Sequence, residues 1–132
     1  LQWDNTYQNE FVNNIFTDLD AGIYFGGSGG TTTTVEDYLD QYESHHNLFH
    51  NNIADIHLRP NWGGGYFSGT SYTLEEFQNN WPKREENSIA GDPLFINENN
   101  FHLQQESPAI GTGDGTLWET ETIDIGAYPT GN

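Results

Sequence analysis

Tyr24, His57, Arg59 and His102 are the residues of this chain whose types combine most readily into chemistry. A Tyr or His beside an Arg supplies a base, an acid and a neutraliser for a carboxylate, which is what β-elimination on a uronate sugar requires. The same four also make an ordinary polar face on stacked strands, and that is the simpler reading. Tyr24, together with Trp62 and Tyr66 of a Gly-rich stretch, offers flat rings on which a sugar could stack. Trp62 and Tyr66 equally belong to a small satellite core with Phe67, Tyr72 and Trp81.

Two acidic pairs have the one-residue spacing that puts carboxylates on one side of an extended segment, as calcium sites often do. They are Asp18 with Asp20, and Glu119 with Glu121 beside a Gly113-Asp114-Gly115 turn. Neither completes a calcium loop, so the expected cofactor is none, or structural Ca²⁺. His45, His46 and His50 form a further cluster. Strand alternation places His46 and His50 on one face, which suits a metal, although hydrogen-bonding turn histidines account for them more simply.

An internal repeat predicts how these residues are placed. Asn14-Ile15-Phe16 and Ala21-Gly22-Ile23-Tyr24-Phe25 match Asn47-Leu48-Phe49 and Ala54-Asp55-Ile56-His57-Leu58, each 33 positions on. A third copy is expected from Pro93-Leu94-Phe95 into Phe101-His102-Leu103. None of these short strand pairs buries its apolar face alone, so stacking must supply the burial. With Ala54, Ile56 and Leu58 inward, Asp55, His57 and Arg59 face out. Stacked copies then bring Tyr24, His57 and His102 into one row with Arg59 beside it. Asn13, Asn14, Asn47, Asn51 and Asn52 recur at the strand starts, where Asn tolerates left-handed turns and bonds nearby backbone.

Two helical excursions interrupt the strands. Thr34 caps a short helix over Val35 to Leu39, and Thr73 with Glu76 forms an S/T-x-x-E capping box whose helix ends near Trp81, before Pro82. The sequence predicts one domain over 1–132, with coils at about 1–25, 43–59 and 88–104, excursions at 26–42 and 60–87, and a C-terminal cap at 105–132.

Composition excludes several partners. With 3 Lys+Arg against 20 Asp+Glu, the formal net charge is −17, the wrong sign for nucleic acid or an anionic membrane. Cysteine is absent, and no apolar run approaches a membrane span. The start at Leu1 and the absence of methionine point to a processed chain or a piece of a longer one, with secretion the commonest route.

Tyr72-Thr73-Leu74-Glu75-Glu76-Phe77, Gly91-Asp92-Pro93-Leu94-Phe95, Phe101-His102-Leu103 and Ser107-Pro108-Ala109-Ile110-Gly111 resemble the closing segment of right-handed parallel β-helix repeat proteins of the pectate-lyase-like superfamily. Ile123-Asp124-Ile125-Gly126-Ala127-Tyr128 is similar to the ending of those with a choice-of-anchor type C-terminal region. The resemblance implies an all-β fold, a short right-handed parallel β-helix (a solenoid), on an extracellular or cell-surface protein that acts on or binds polysaccharide. Catalytic residues of that family usually lie on middle coils, so it assigns none here. The expected function is a non-catalytic extracellular structural subunit that self-associates, head-to-tail into filaments, through an open β-helix end. Its partners are then copies of itself or a missing N-terminal β-helix portion. The alternatives are a C-terminal fragment of a secreted polysaccharide lyase and a glycan-binding module.

Overall fold

Ile15 lies directly opposite Leu48, Phe16 opposite Phe49, and Tyr24 opposite His57, so the 33-residue repeat of the sequence is also a strand register. The computed structural model describes residues 9–26, 36, 39–40, 42–59, 69–120, 122–126 and 128. Three strands, β1 (Asn9–Val12), β2 (Ile15–Thr17) and β3 (Ala21–Gly26), form a first tier. They pair in parallel with β4 (Tyr42–His45), β5 (Leu48–His50) and β6 (Ala54–Arg59) of a second.

The corners between these short strands turn through left-handed backbone. Asn13 and His46 occupy one pair of equivalent corners and Asp18 and Asn51 the next, all with φ between 50° and 62°. Short polar side chains tolerate that region better than most. Asn47, fully buried, then ties the tiers together. Its Oδ1 accepts from the Asn14 N–H (2.9 Å), and its Nδ2 donates to the Phe11 carbonyl (2.8 Å) and Ser44 Oγ (3.1 Å). Asn52 repeats the device one corner on, accepting from the Leu19 N–H and donating to the Phe16 carbonyl. The Asn recurrence is therefore structural.

The third copy does not stack, and the expected parallel β-helix, or solenoid, is not the fold. The described strands divide among five small sheets, none closed and not all parallel. Among the described residues the second tier continues in parallel through β8 (Ile89–Ala90), with Ile89 opposite Leu48, and through a bridge from His45 to Glu86. β7 (Thr70–Tyr72) runs antiparallel along β6. β9 (Phe95–Asn97) and β10 (Asn100–Leu103) form an antiparallel pair of their own, as do β11 (Gly113–Asp114) and β12 (Thr122–Ile123).

Pro93 supplies the physical reason. It stands where the earlier copies have Asn, and it has neither an amide side chain to clamp a neighbouring tier nor a backbone N–H. The Asp92 carboxylate instead accepts from the Leu94 N–H (2.9 Å), and Leu94 itself takes φ 52°. The chain turns away there. Asn97 then accepts from the Asn99 N–H to close the β9–β10 turn.

The helix α1 (Leu74–Asn80) has the expected capping box: Thr73 Oγ1 accepts from the Glu76 N–H and Glu76 Oε1 from the Thr73 N–H. Leu74 and Phe77 bury its inner face. The other expected helix, over Val35 to Leu39, lies mostly outside the described residues. The core falls into two clusters. Phe49, Ile56, Leu58 and Phe25 meet Leu74 and Phe77 of α1 in one. Leu48 meets Leu103, Ala109 and Ile125 of the C-terminal segment in the other, flanked by Ile15 and Ile89. That segment ties back to the first tier where the Gly126 N–H donates to the Asn13 carbonyl (3.0 Å).

Candidate functional site

β3 and β6 place Tyr24 and His57 face to face, with ring centroids 5.2 Å apart and planes 15° off parallel. Tyr24 is half exposed. His57 also pairs through Nδ1 with Ser71 Oγ at 2.9 Å. The expected row stops there, because the residue opposite His57 on its other side is Ser71 of β7. His102 sits on β10 and stacks on Tyr128 instead (4.5 Å). Arg59 ends β6 opposite Gly26 and is half-buried. Trp62 and Tyr66 lie outside the described residues.

The acidic pairs are placed differently from one another. Asp18 accepts from Asn51 Nδ2 (2.6 Å) and from Thr17 Oγ1 (3.0 Å), which holds its carboxyl below the usual range. Asp20 takes part through its carbonyl, which accepts from the Ala54 N–H (3.0 Å). Glu119 closes a 3-10 turn, Thr116–Trp118, in left-handed backbone. Glu121 is outside the described residues. Among the described residues neither pair gathers a third ligand-type side chain.

The side chains that do converge are His45, His46 and Asp114, whose ligand atoms all lie within 4.8 Å of one another. His45 ends β4, and His46 is the left-handed corner after it, so the strand alternation that grouped His46 with His50 fails at this residue. The two Nδ1 atoms approach to 2.7 Å, and His45 Nδ1 is 3.9 Å from Asp114 Oδ2. His50 faces Asp92 instead, at 3.9 Å. Partial burial, with His45 beside it, pushes the His46 imidazole below its ordinary pKa. Asp114 is held below the usual carboxylate range by the side chain and N–H of Thr116. The histidines were visible in the sequence. Asp114, 101 residues from Asn13, was not, since only the folded chain shows Asn13 gripping it.

His45 and His46 also line a cleft of about 540 Å³ with Ser44, Lys83, Glu85 and Phe25. Glu85 is only 2% exposed. Burial pushes its carboxyl above the usual range, opposed by hydrogen bonds from Ser44, Ser88 and Asn47. Glu85 is held by Ser44, Ser88 and Asn47 and touches neither imidazole, while the imidazoles with Asp114 have the donor types for a metal ion. No family model matches this chain, and no curated protein or solved structure matches it either.

A third feature is an edge. Among the described residues β1, β2 and β3 each have a strand partner on one side only. The opposite side of the second tier is covered by β7 along β6, by β8 along β5, and by a bridge from His45 to Glu86 at β4.

Proposed function

We propose that this chain is a non-catalytic structural subunit that pairs with a second copy of itself through the outer edge of β1, β2 and β3. The single observation that carries this reading is the asymmetry of the two tiers: among the described residues the first has no strand along its outer side, whereas the second is covered. An edge with unpaired N–H and C=O groups is a template for another strand. Like already packs on like inside the chain: Phe16 stacks on Phe49 (5.1 Å), and Asn14 donates to Asn47. In a two-fold pair of first tiers the facing strands run antiparallel, so the two edges meet through their backbone groups and not through this parallel register. Covered second tiers favour an isologous, closed pair over head-to-tail filaments.

Charge opposes the pairing. At −17 per chain, two copies repel at low ionic strength, and salt or divalent ions relieve the repulsion, which suits an extracellular or cell-surface setting. Light scattering between low and high salt tests this. The expected mass rises from 14.9 kDa toward its double as salt increases, with backbone amides of β1–β3 exchanging more slowly in the pair. A mass that stays at one chain at millimolar concentration in high salt would sink the reading.

Glycan binding is the second reading, favoured by the exposed stack of Tyr24 on His57. A glycan array probed with wild type and Tyr24→Ala tests it, and binding unchanged in the variant excludes this stack as the platform.

A further inference from the structure

We propose that His45, His46 and Asp114 form a site for one divalent metal ion of the Zn²⁺ class, reached through the cleft that the two histidines line. The inference is independent of how the chain associates. It rests on donor chemistry, convergence and support.

Two imidazoles and one carboxylate suit a borderline ion, whereas Ca²⁺ seeks oxygen donors alone. A tetrahedral ion bound at ordinary Zn–N and Zn–O lengths needs its donors about 3.4 Å apart. The Nδ1 pair stands at 2.7 Å, and the His45 Nδ1 to Asp114 Oδ2 separation is 3.9 Å. The needed distance lies between the two, so small side-chain rotations bring these donors onto one ion. Without an ion only one hydrogen can lie between the two Nδ1 atoms.

The backbone around the donors is fixed from three sides. Asn13 Nδ2 donates to the Asp114 carbonyl (2.9 Å), and Asn13 Oδ1 accepts from the Asp114 N–H (2.7 Å). The N–H of the same Asn13 donates to the His46 carbonyl (3.1 Å), while the His46 N–H donates to Glu86 (3.0 Å). One asparagine thus sets the spacing between a histidine and a carboxylate that are far apart in sequence.

The outer partners also fit. Asp114 Oδ1 is taken up by the Thr116 N–H (2.9 Å) and hydroxyl, so Oδ2 is the oxygen turned toward His45. On the far side of the His45 ring, Nε2 faces Glu43 Oε1 at 3.7 Å. A carboxylate behind a ligating imidazole orients the ring and raises its basicity. Three protein donors leave a fourth position for water or a ligand, and two of the three, His45 and His46, line the cleft.

Such an ion would tie the end of β4 to the C-terminal β11. The test is calorimetric titration of chelator-treated full chain with Zn²⁺, in wild type, His45→Gln, His46→Asn and His50→Gln. Asn is chosen at position 46 because the backbone there is left-handed (φ 53°) and Asn tolerates it. The expected result is one Zn²⁺ per chain, weakened more than about 100-fold in His45→Gln and His46→Asn and unchanged in His50→Gln.

A second measurement needs no variant. Zn²⁺ added to wild-type protein with ¹⁵N-labelled histidine should shift the Nδ1 resonances of His45 and His46 and leave the ring nitrogens of His102 in place. Absence of saturable uptake, retention of wild-type affinity in either His45→Gln or His46→Asn, or shifts at His102 in place of this pair would each overturn the assignment.

Discussion

Leu48-Phe49 and Leu94-Phe95 are the same dipeptide in two regions of the molecule, and they end in different structures. The first is fully buried in β5, paired on both sides, with Phe49 stacked on Phe16. The second lies at a turn, with Leu94 in left-handed backbone and Phe95 half-buried in a two-stranded hairpin against Phe101. What differs is the residue before them. Asn47 reaches across to Asn14 and Phe11 and fixes a tier, and Pro93 has no means to do so. Apolar matching alone therefore did not decide the fold; a polar clamp beside each apolar pair did.

The largest test of that contrast is truncation of the two phenylalanines. Phe49→Ala should cost about 3–5 kcal/mol, since a fully buried ring leaves a cavity in a region supported from both sides. Phe95→Ala should cost nearer to about 1 kcal/mol, because its site is half open and able to collapse. Urea unfolding monitored by fluorescence gives both values. Equal losses would mean that the C-terminal region is as much a part of the core as the tiers are.

The next test concerns the seam where β4 meets the segment leading to β8. Glu85 carries its raised pKa at this seam, through burial, against hydrogen bonds from Ser44, Ser88 and Asn47. The folded state therefore keeps its proton at pH values where the unfolded chain, titrating near the ordinary 4.5, has lost it. That stabilisation is fully present below pH 4.5 and is lost as pH rises through the folded value. Asp18, Glu76 and Asp114, all lowered by hydrogen bonds, act in the opposite sense and lose stability as pH falls below their usual range. Thermal unfolding should therefore show a declining limb on the alkaline side of pH 4.5 that Glu85→Gln removes, with the acid limb shared by both proteins. A decline of the same size in Glu85→Gln would assign it to the net charge.

Much of the tiered half was legible in the sequence for a physical reason. Its contacts recur at one fixed separation, so Ile15 with Leu48, Ala21 with Ala54 and Tyr24 with His57 could be read by overlaying the chain on itself. The α1 start was legible because Thr73 and Glu76 satisfy each other locally. A continuing parallel β-helix did not follow, because the third copy matches the others in its apolar residues but has Pro93 where they have Asn14 and Asn47. The row of Tyr24, His57 and His102 failed with it, since His102 depended on that copy. Of the His45, His46 and Asp114 cluster, the sequence offered the histidines but grouped His46 with His50 by a strand alternation that a left-handed corner interrupts. Asp114 was beyond reach because its position is set by Asn13, 101 residues away along the chain.

The smallest effect expected separates steric crowding from backbone preference in the same two regions. At Gly22, on β3, an added Cβ would stand 2.7 Å from the Asp55 carbonyl oxygen and 3.0 Å from the Phe49 ring. The backbone there cannot recede without disturbing the tier, so Gly22→Ala should cost about 1–3 kcal/mol as overpacking. At Gly111, in the C-terminal segment, nothing lies within 4 Å of the same position, but φ is +68°. Gly111→Ala should therefore cost only the left-handed penalty, about 1 kcal/mol. Gly111→Asn distinguishes the causes, because Asn relieves a backbone penalty without shrinking the side chain. Recovery of stability in Gly111→Asn, with none in Gly22→Asn, would show that the tiers are limited by close packing and the C-terminal segment by its turns. If Gly22→Asn recovered instead, β3 would have room beneath it, and the tight tier-on-tier contact that sets this region apart would be wrong.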